Sequence, residues 1–395
     1  MNLATDLALA PILAADPTPD LDAVPAPPVT PREAARRYCL LLFALPLLAI
    51  PAFIRLGASD FFLRHGASVW VQSNDTIFSQ RDRACDVLIF GDSTAMTGIN
   101  PDVVERNTGF RTCNISVTNS VLAVTHNLTL NRYLAQNARP RVLLIQLSPD
   151  GFEPEGSAWD QTVYPEGLLE LLRHGTPAEG RRVLLSHPQQ AIAFAGYSAG
   201  FTAYSLVKDI WFHLTSLRPE EDTLTIRNGF FTPPAPASTS CEPGATFSNP
   251  RAGGAFPRTV VGEYQSDYAG RSGIVLVNVA PIPSCDQNLA AFSTSLNGVT
   301  SNLLMPLPVH LFNDPRHYTA DGSAIVSRII AEELNEVAQR NPQIDLKPDL
   351  KPELQSGIDP ETRSDAGSRS QAHPLPVAAI RTVAMLERPH ARLGR

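Results

Sequence analysis

Asp86-Val87-Leu88-Ile89-Phe90-Gly91-Asp92-Ser93 is the stretch whose reading decides the fold. Five residues of mostly apolar, β-branched character run without polar alternation into a glycine, as expected of a strand buried on both faces that then turns sharply. The pattern recurs. Cys113 to Val117 reads as a second strand, Val142-Leu143-Leu144-Ile145 as a third, closing with Ser148-Pro149-Asp150, and Ile274-Val275-Leu276-Val277-Asn278-Val279 as a later one. Helical stretches stand between them. One starts near Pro101, where Asn100-Pro101-Asp102 offers an N-cap and a proline for the first turn. Others cover Val121 to Leu134, residues 165 to 217, Asp286 to Asn297, and Thr319 to Val337 with Thr319 as N-cap. Alternating strands and helices imply an α/β fold, a mostly parallel sheet with helices on both faces.

Outward from this domain the chain changes character. Tyr38 to Leu56, YCLLLFALPLLAIPAFIRL, is apolar enough for a transmembrane helix, with Pro46 and Pro51 tolerable in that setting. A cleaved signal peptide and a buried soluble helix are the competing readings; the long lead and the lack of a small-x-small cleavage site argue against the first. Arg32, Arg36 and Arg37 precede the span, and Arg55 and Arg64 follow it, a small bias toward N-terminus inside. The expected organisation is therefore a disordered segment 1–37, an anchor 38–57, a connector 58–84, a domain 85–340 with an insertion at about 151–267, and a disordered tail 341–395. Within the insertion, Ala191 to Leu214 reads as a packed helix pair or a lid, with a peripheral membrane contact as a further reading; Gly196 and Gly200 break it too much for a second span. Arg218 to about Asp267, rich in Pro and Gly, reads as short strands or cleft lining.

A net charge of -7 with no basic, aromatic-interleaved stripe argues against nucleic acid as a partner. No Cys/His spacing suggests zinc, so no metal is expected. Cys39 lies in the apolar segment. Cys85, Cys113, Cys241 and Cys285 lie beyond it and allow three pairings. Cys85 and Cys113 precede neighbouring strands, which makes a bridge between them geometrically reasonable and leaves Cys241 with Cys285; four ordinary thiols are the alternative.

Chemistry concentrates in two signatures. Ser93 follows the first strand, where α/β folds present ligand-binding groups, and a serine needs a base to become a nucleophile. Far along the chain comes Asp314-Pro315-Arg316-His317. In a tight turn Asp314 can accept the Nδ1 proton of His317 and leave Nε2 toward the serine. His310, in an apolar strand-like run, reads as a partly buried structural residue. Asp92, Thr94, Ser148 and Asp150, at the strand ends, are candidates for substrate contact.

Gly91-Asp92-Ser93 and Asp314-Pro315-Arg316-His317 together resemble the SGNH/GDSL hydrolase superfamily, in particular its bacterial membrane-anchored members that act on exported polysaccharides. The resemblance spans roughly Asp86 to Glu336. It implies a three-layer, doubly wound, flavodoxin-like sheet and a triad of Ser93, Asp314 and His317. It also implies an oxyanion hole from the backbone N–H of Ser93 and, where the family has a glycine, of Asn119. Ser148-Pro149-Asp150 stands where the family has its Gly-x-Asn block, and acyl-transferring members often lack that block. The implied activity is O-acyl transfer to a cell-envelope glycan, with ester hydrolysis and a non-catalytic glycan-binding or assembly role as alternatives. No cofactor is implied. The implied setting is the bacterial inner membrane, with the domain in the periplasm or outside the cell and a multispanning membrane protein as acyl donor.

Overall fold

The structure, a computed structural model, describes residues 30–67, 69–152, 165–186, 188–215, 229–230 and 256–342. Helix α1 runs Pro31–Gly57. It begins earlier than the apolar run because Thr30 and Glu33 form a capping box: Glu33 N donates to Thr30 Oγ1, and Thr30 N to Glu33 Oε2. Residues 31–37, expected to be disordered, are therefore the first turns of this helix; residues 1–29 lie outside the described residues. Its 27 residues span about 40 Å. Among the described residues it is the one helix long and apolar enough to cross a bilayer, consistent with a membrane anchor. The chain divides into two compact units between Ala49 and Ile50.

The connector holds two helices, α2 (Asp60–His65) and α3 (Val69–Phe78). The larger unit is built on a four-stranded parallel sheet of β1 (Val87–Gly91), β2 (Thr112–Asn114), β3 (Val142–Leu147) and β4 (Ile274–Val279), in spatial order β2-β1-β3-β4. Alternate residues of the strands serve two cores. Leu88, Phe90, Leu143 and Ile145 point to one, with Val121, Leu130 and Tyr268. Val87, Ile89, Val142 and Leu144 point to the other, with Val104, Val326 and Ile330. Both faces are thus covered, which is why these strands read as continuous apolar runs. Truncating one such side chain to alanine costs about 2–5 kcal/mol.

Helices α4 (Ser93–Gly98) and α5 (Pro101–Thr108) follow β1. The N-cap expected at Asn100 is present: its side chain accepts from Asp102 N at 3.0 Å. The stretch after β2 is two helices, α6 (Asn119–Thr125) and α7 (Leu128–Gln136), because His126 takes a positive φ between them. Cys85 and Cys113, just ahead of β1 and in the neighbouring β2, form a disulfide with Cα atoms 5.9 Å apart. Cys285 is disulfide-bonded and Cys39 is free; Cys241 lies outside the described residues.

Three helices follow: α8 (Pro165–His174), α9 (Pro177–Ser186) and α10 (Pro188–Thr215). The expected helix pair within 191–214 is one continuous helix of 28 residues. An interior glycine costs only about 1 kcal/mol, too little for Gly196 and Gly200 to break it. Helix α11 (Phe256–Tyr268) occupies the end of the stretch expected as strands or cleft lining, and places Val261 and Tyr268 in the core. After β4 come β5 (Ile282–Pro283), α12 (Leu289–Leu296) and β6 (Pro306–Leu307), β5 and β6 forming a small parallel pair. Helix α13 (Ala320–Arg340) is capped by Thr319, which accepts from Gly322 N. The tail from residue 343 lies outside the described residues.

Candidate active site

Strand order reverses between β1, flanked by β2, and β3, flanked by β4. In open parallel sheets the crevice for ligands lies at the carboxyl edge at such a switch point. Gly91 closes β1 there because β3 comes too near for a side chain: a Cβ on it would run into the carbonyl oxygen of Gln146. Asp92 then caps α4 and Ser93 opens it.

Asp92 spends its whole carboxylate on this turn. Oδ1 accepts from Thr94 N at 2.9 Å and Thr94 Oγ1 at 2.6 Å; Oδ2 accepts from Ser148 N at 2.8 Å and Ser148 Oγ at 2.7 Å. Asp92, Thr94 and Ser148 are buried. Expected to meet substrate, they instead form a clamp between the ends of β1 and β3 that fixes where Ser93 stands. Asp150 is also engaged. Arg316 Nη2 lies 2.8 Å from its Oδ2, joining the end of β3 to the segment that carries His317. Burial raises the Asp150 carboxyl above its ordinary range; Arg316 opposes this and Asp92 adds to it. The Arg316 link had no local signal in the sequence, since its partner lies on a distant strand end.

The second signature is a tight hairpin. Phe312 and Tyr318 form an antiparallel bridge, and Asn313 N donates to the carbonyl of His317 at 2.8 Å. Asp314 Oδ1 accepts from Arg316 N at 2.7 Å and His317 N at 2.8 Å. That leaves Oδ2, which lies 2.7 Å from His317 Nδ1. Burial raises the Asp314 carboxyl, but the His317 bond and charge and the two backbone donors outweigh it and hold it below the ordinary aspartate value. With Nδ1 donating to Asp314, Nε2 is the basic nitrogen, and it lies 2.9 Å from Ser93 Oγ. Ser93, Asp314 and His317 thus meet, whereas His310, expected to be partly buried in a strand, is exposed on a 3-10 turn at Val309–Leu311.

Asn119 begins α6. The chain after β2 stays beside β1 to its end, Val117 N donating to Gly91 O at 3.0 Å, so Asn119 reaches the same sheet edge as Ser93. Its N–H, like that of Ser93, belongs to a first helical turn and has no intrahelical acceptor. The Trp70 ring stands 5.5 Å from the His317 ring, a neighbour that nothing in the connector's sequence singled out.

Although no metal was expected, Asp75, Glu170 and His174 bring ligand-type atoms within 4.8 Å of one another. Arg173 Nη2 lies 2.9 Å, and His174 Nε2 2.7 Å, from the same Asp75 oxygen. The cluster includes an ion-pair network that fastens α8 to α3. Comparison of the chain with family models, curated proteins and solved structures finds no match.

Proposed function

We propose that the chain is a serine-dependent O-acyltransferase of SGNH type that acylates an exported polysaccharide or cell-envelope glycan. The observation that carries the reading is the continuous line Asp314–His317–Ser93, with contacts of 2.7 and 2.9 Å. These are the contacts that general-base activation of a serine requires. The strand order β2-β1-β3-β4, with helices on both faces, agrees with the doubly wound, three-layer sheet of that family.

In the first half-reaction His317 Nε2 takes the Ser93 proton as Oγ attacks the carbonyl carbon of an acyl donor. The backbone N–H groups of Ser93 and Asn119 hold the developing oxyanion; one such donor is worth about 3–4 kcal/mol of barrier. The tetrahedral intermediate collapses to acyl-Ser93, and the leaving group departs with the proton from His317. In the second half-reaction a sugar hydroxyl gives its proton to His317 and attacks the acyl carbonyl. The glycan ester leaves, and Ser93 recovers its proton. Asp314 stays ionised and stabilises the imidazolium throughout. No cofactor takes part. The apolar α1 and the Cys85–Cys113 disulfide suit a domain anchored in the inner membrane and facing the oxidising periplasm. There a multispanning membrane protein would supply the acyl group.

Two measurements test this. A serine-reactive phosphonate labels the parent chain and not Ser93→Ala; equal labelling of both removes Ser93 from the nucleophile role. Incubated with an activated acyl ester and an oligosaccharide, the protein yields an acylated oligosaccharide. Free acid alone would make it an esterase, and no product with retained glycan binding would make it a binding module.

A further inference from the structure

We propose that α10 lies on the bilayer surface, with its exposed side in contact with lipid acyl chains. Phe194 and Thr202 turn into the protein, while the opposite side of the helix carries Ile192, Tyr197, Tyr204, Val207, Trp211 and Leu214. Ile192 is 76%, Trp211 60% and Leu214 79% exposed, which for large apolar side chains in water is a standing cost. At 100° per residue these positions cover an arc of about 140°. No charged residue occurs from Pro188 through Val207. Asp209 falls on the covered side, and Lys208 sits at the edge of the arc with its Nζ 5.2 Å from the Phe212 ring. From the edge its ammonium can reach headgroups. Tyr197, Tyr204 and Trp211 are the residue types that favour the membrane–water boundary.

Continuity with the anchor identifies lipid as the occupant. The N-terminal part of α10 borders a groove of about 390 Å³ lined by Ile54, Leu168, Leu171, Leu184, Ile192 and Phe194. No polar side chain lines it. Ile54 belongs to α1, within the apolar stretch ending at Leu56, and Gly57 lies so close to α10 that a Cβ on it would stand 2.5 Å from Thr202 Oγ1. Ile54 is thus both part of the groove's lining and the near end of the apolar run Tyr38–Leu56 in sequence. A helix partner would need only a narrow seam, whereas the exposed apolar surface of α10 covers about 140°.

The test uses the full chain in phosphatidylcholine–phosphatidylglycerol vesicles, with and without bromine on the acyl chains. Bromine quenches tryptophan only at close range, and the chain has Trp70, Trp159 and Trp211. The expected result is a loss of emission in brominated vesicles that disappears in Trp211→Phe, an exposed change that leaves packing intact. Quenching that is the same in Trp211→Phe and the parent overturns the proposal. So does an unquenched chain that floats with the vesicles, including one that has dimerised through α10. A chain that fails to float overturns both this contact and the anchor. Retained phosphonate labelling of Ser93 in any of these cases leaves the acyl-transfer reading standing.

Discussion

Tyr318 closes against Gly98 so tightly that a Cβ on Gly98 would stand 2.6 Å from Tyr318 Cε2 and 2.8 Å from Cδ2. Tyr318 is fully buried and its hydroxyl donates to the carbonyl of Pro281 at 2.7 Å. A second tie runs beside it, Asn100 N to Ser327 Oγ at 2.8 Å. These contacts dock the helix that begins with Ser93 onto the segment that carries His317, two residues 224 positions apart.

Gly98→Ala should therefore act at a distance. The new methyl pushes Tyr318, which has no room to retreat, and with it the adjacent His317. A displacement near 1 Å costs up to about 100-fold in rate. Phosphonate labelling should slow by about 10–100-fold, and the melting temperature should fall modestly, because overpacking costs about 1–3 kcal/mol and the helix preference of alanine offsets only about 1 kcal/mol of it. An unchanged labelling rate would show that this contact does not position the imidazole.

Asp314→Asn should leave the hairpin standing and disable the base. The asparagine oxygen still accepts from Arg316 N and His317 N, but its NH₂ now faces His317 Nδ1. The imidazole is then held in the tautomer whose Nε2 carries the proton, unable to accept one from Ser93. The rate of labelling should fall by a factor on the order of 10⁴. A loss of only a few-fold, with a normal melting temperature, would mean that Asp314 does not set the tautomer.

The Cys85–Cys113 bridge closes a sequence separation of 28 residues. Chain-entropy reasoning assigns such a loop roughly 3–4 kcal/mol of stability. Alkylation of the native protein should leave both thiols unmodified until a reductant is added, and the Cys85→Ala, Cys113→Ala double variant should melt lower. Modification of both without reductant would contradict the bridge and weaken the case for an oxidising compartment.

Glu333 on α13 should make stability depend on pH. Burial pushes its carboxyl up to about 7, opposed by the bond from Asn278 Nδ2 at 2.7 Å. Because this folded value lies above the unfolded one, the folded chain binds more protons between them. The group's contribution is therefore complete below about pH 4 and is lost as pH rises to about 7, up to about 3 kcal/mol in all. Melting curves from pH 4 to 8 should show this decline in the parent and a smaller one in Glu333→Gln, whose amide oxygen can still accept from Asn278. Parallel curves would exclude the effect.

The central strands were legible because burial on both faces leaves no polar positions in Val87–Phe90 or Val142–Ile145. The caps at Asn100 and Thr319 were legible because capping is local chemistry. Thr30 with Glu33 carried the same kind of signal and would have placed the start of α1. Helix α11 was obscured by the Pro- and Gly-rich stretch before it, although its core positions Val261 and Tyr268 are widely spaced along a helical face. The role of Asp92 was misread because its partner Ser148 is 56 residues away and becomes a neighbour only through the pairing of β1 with β3.

The order of residues alone determined which side chains can take, hold and pass a proton, and which segments are apolar enough to be strands or a span. Such properties depend on composition and short-range spacing. Tertiary structure decided which of them meet. Parallel pairing set the ends of β1 and β3 side by side, the hairpin at Phe312–Tyr318 freed one oxygen of Asp314, and the docking of Tyr318 on Gly98 placed an imidazole 2.9 Å from a hydroxyl. Local preference cannot specify those distances, because each depends on contacts whose partners lie far apart in the chain.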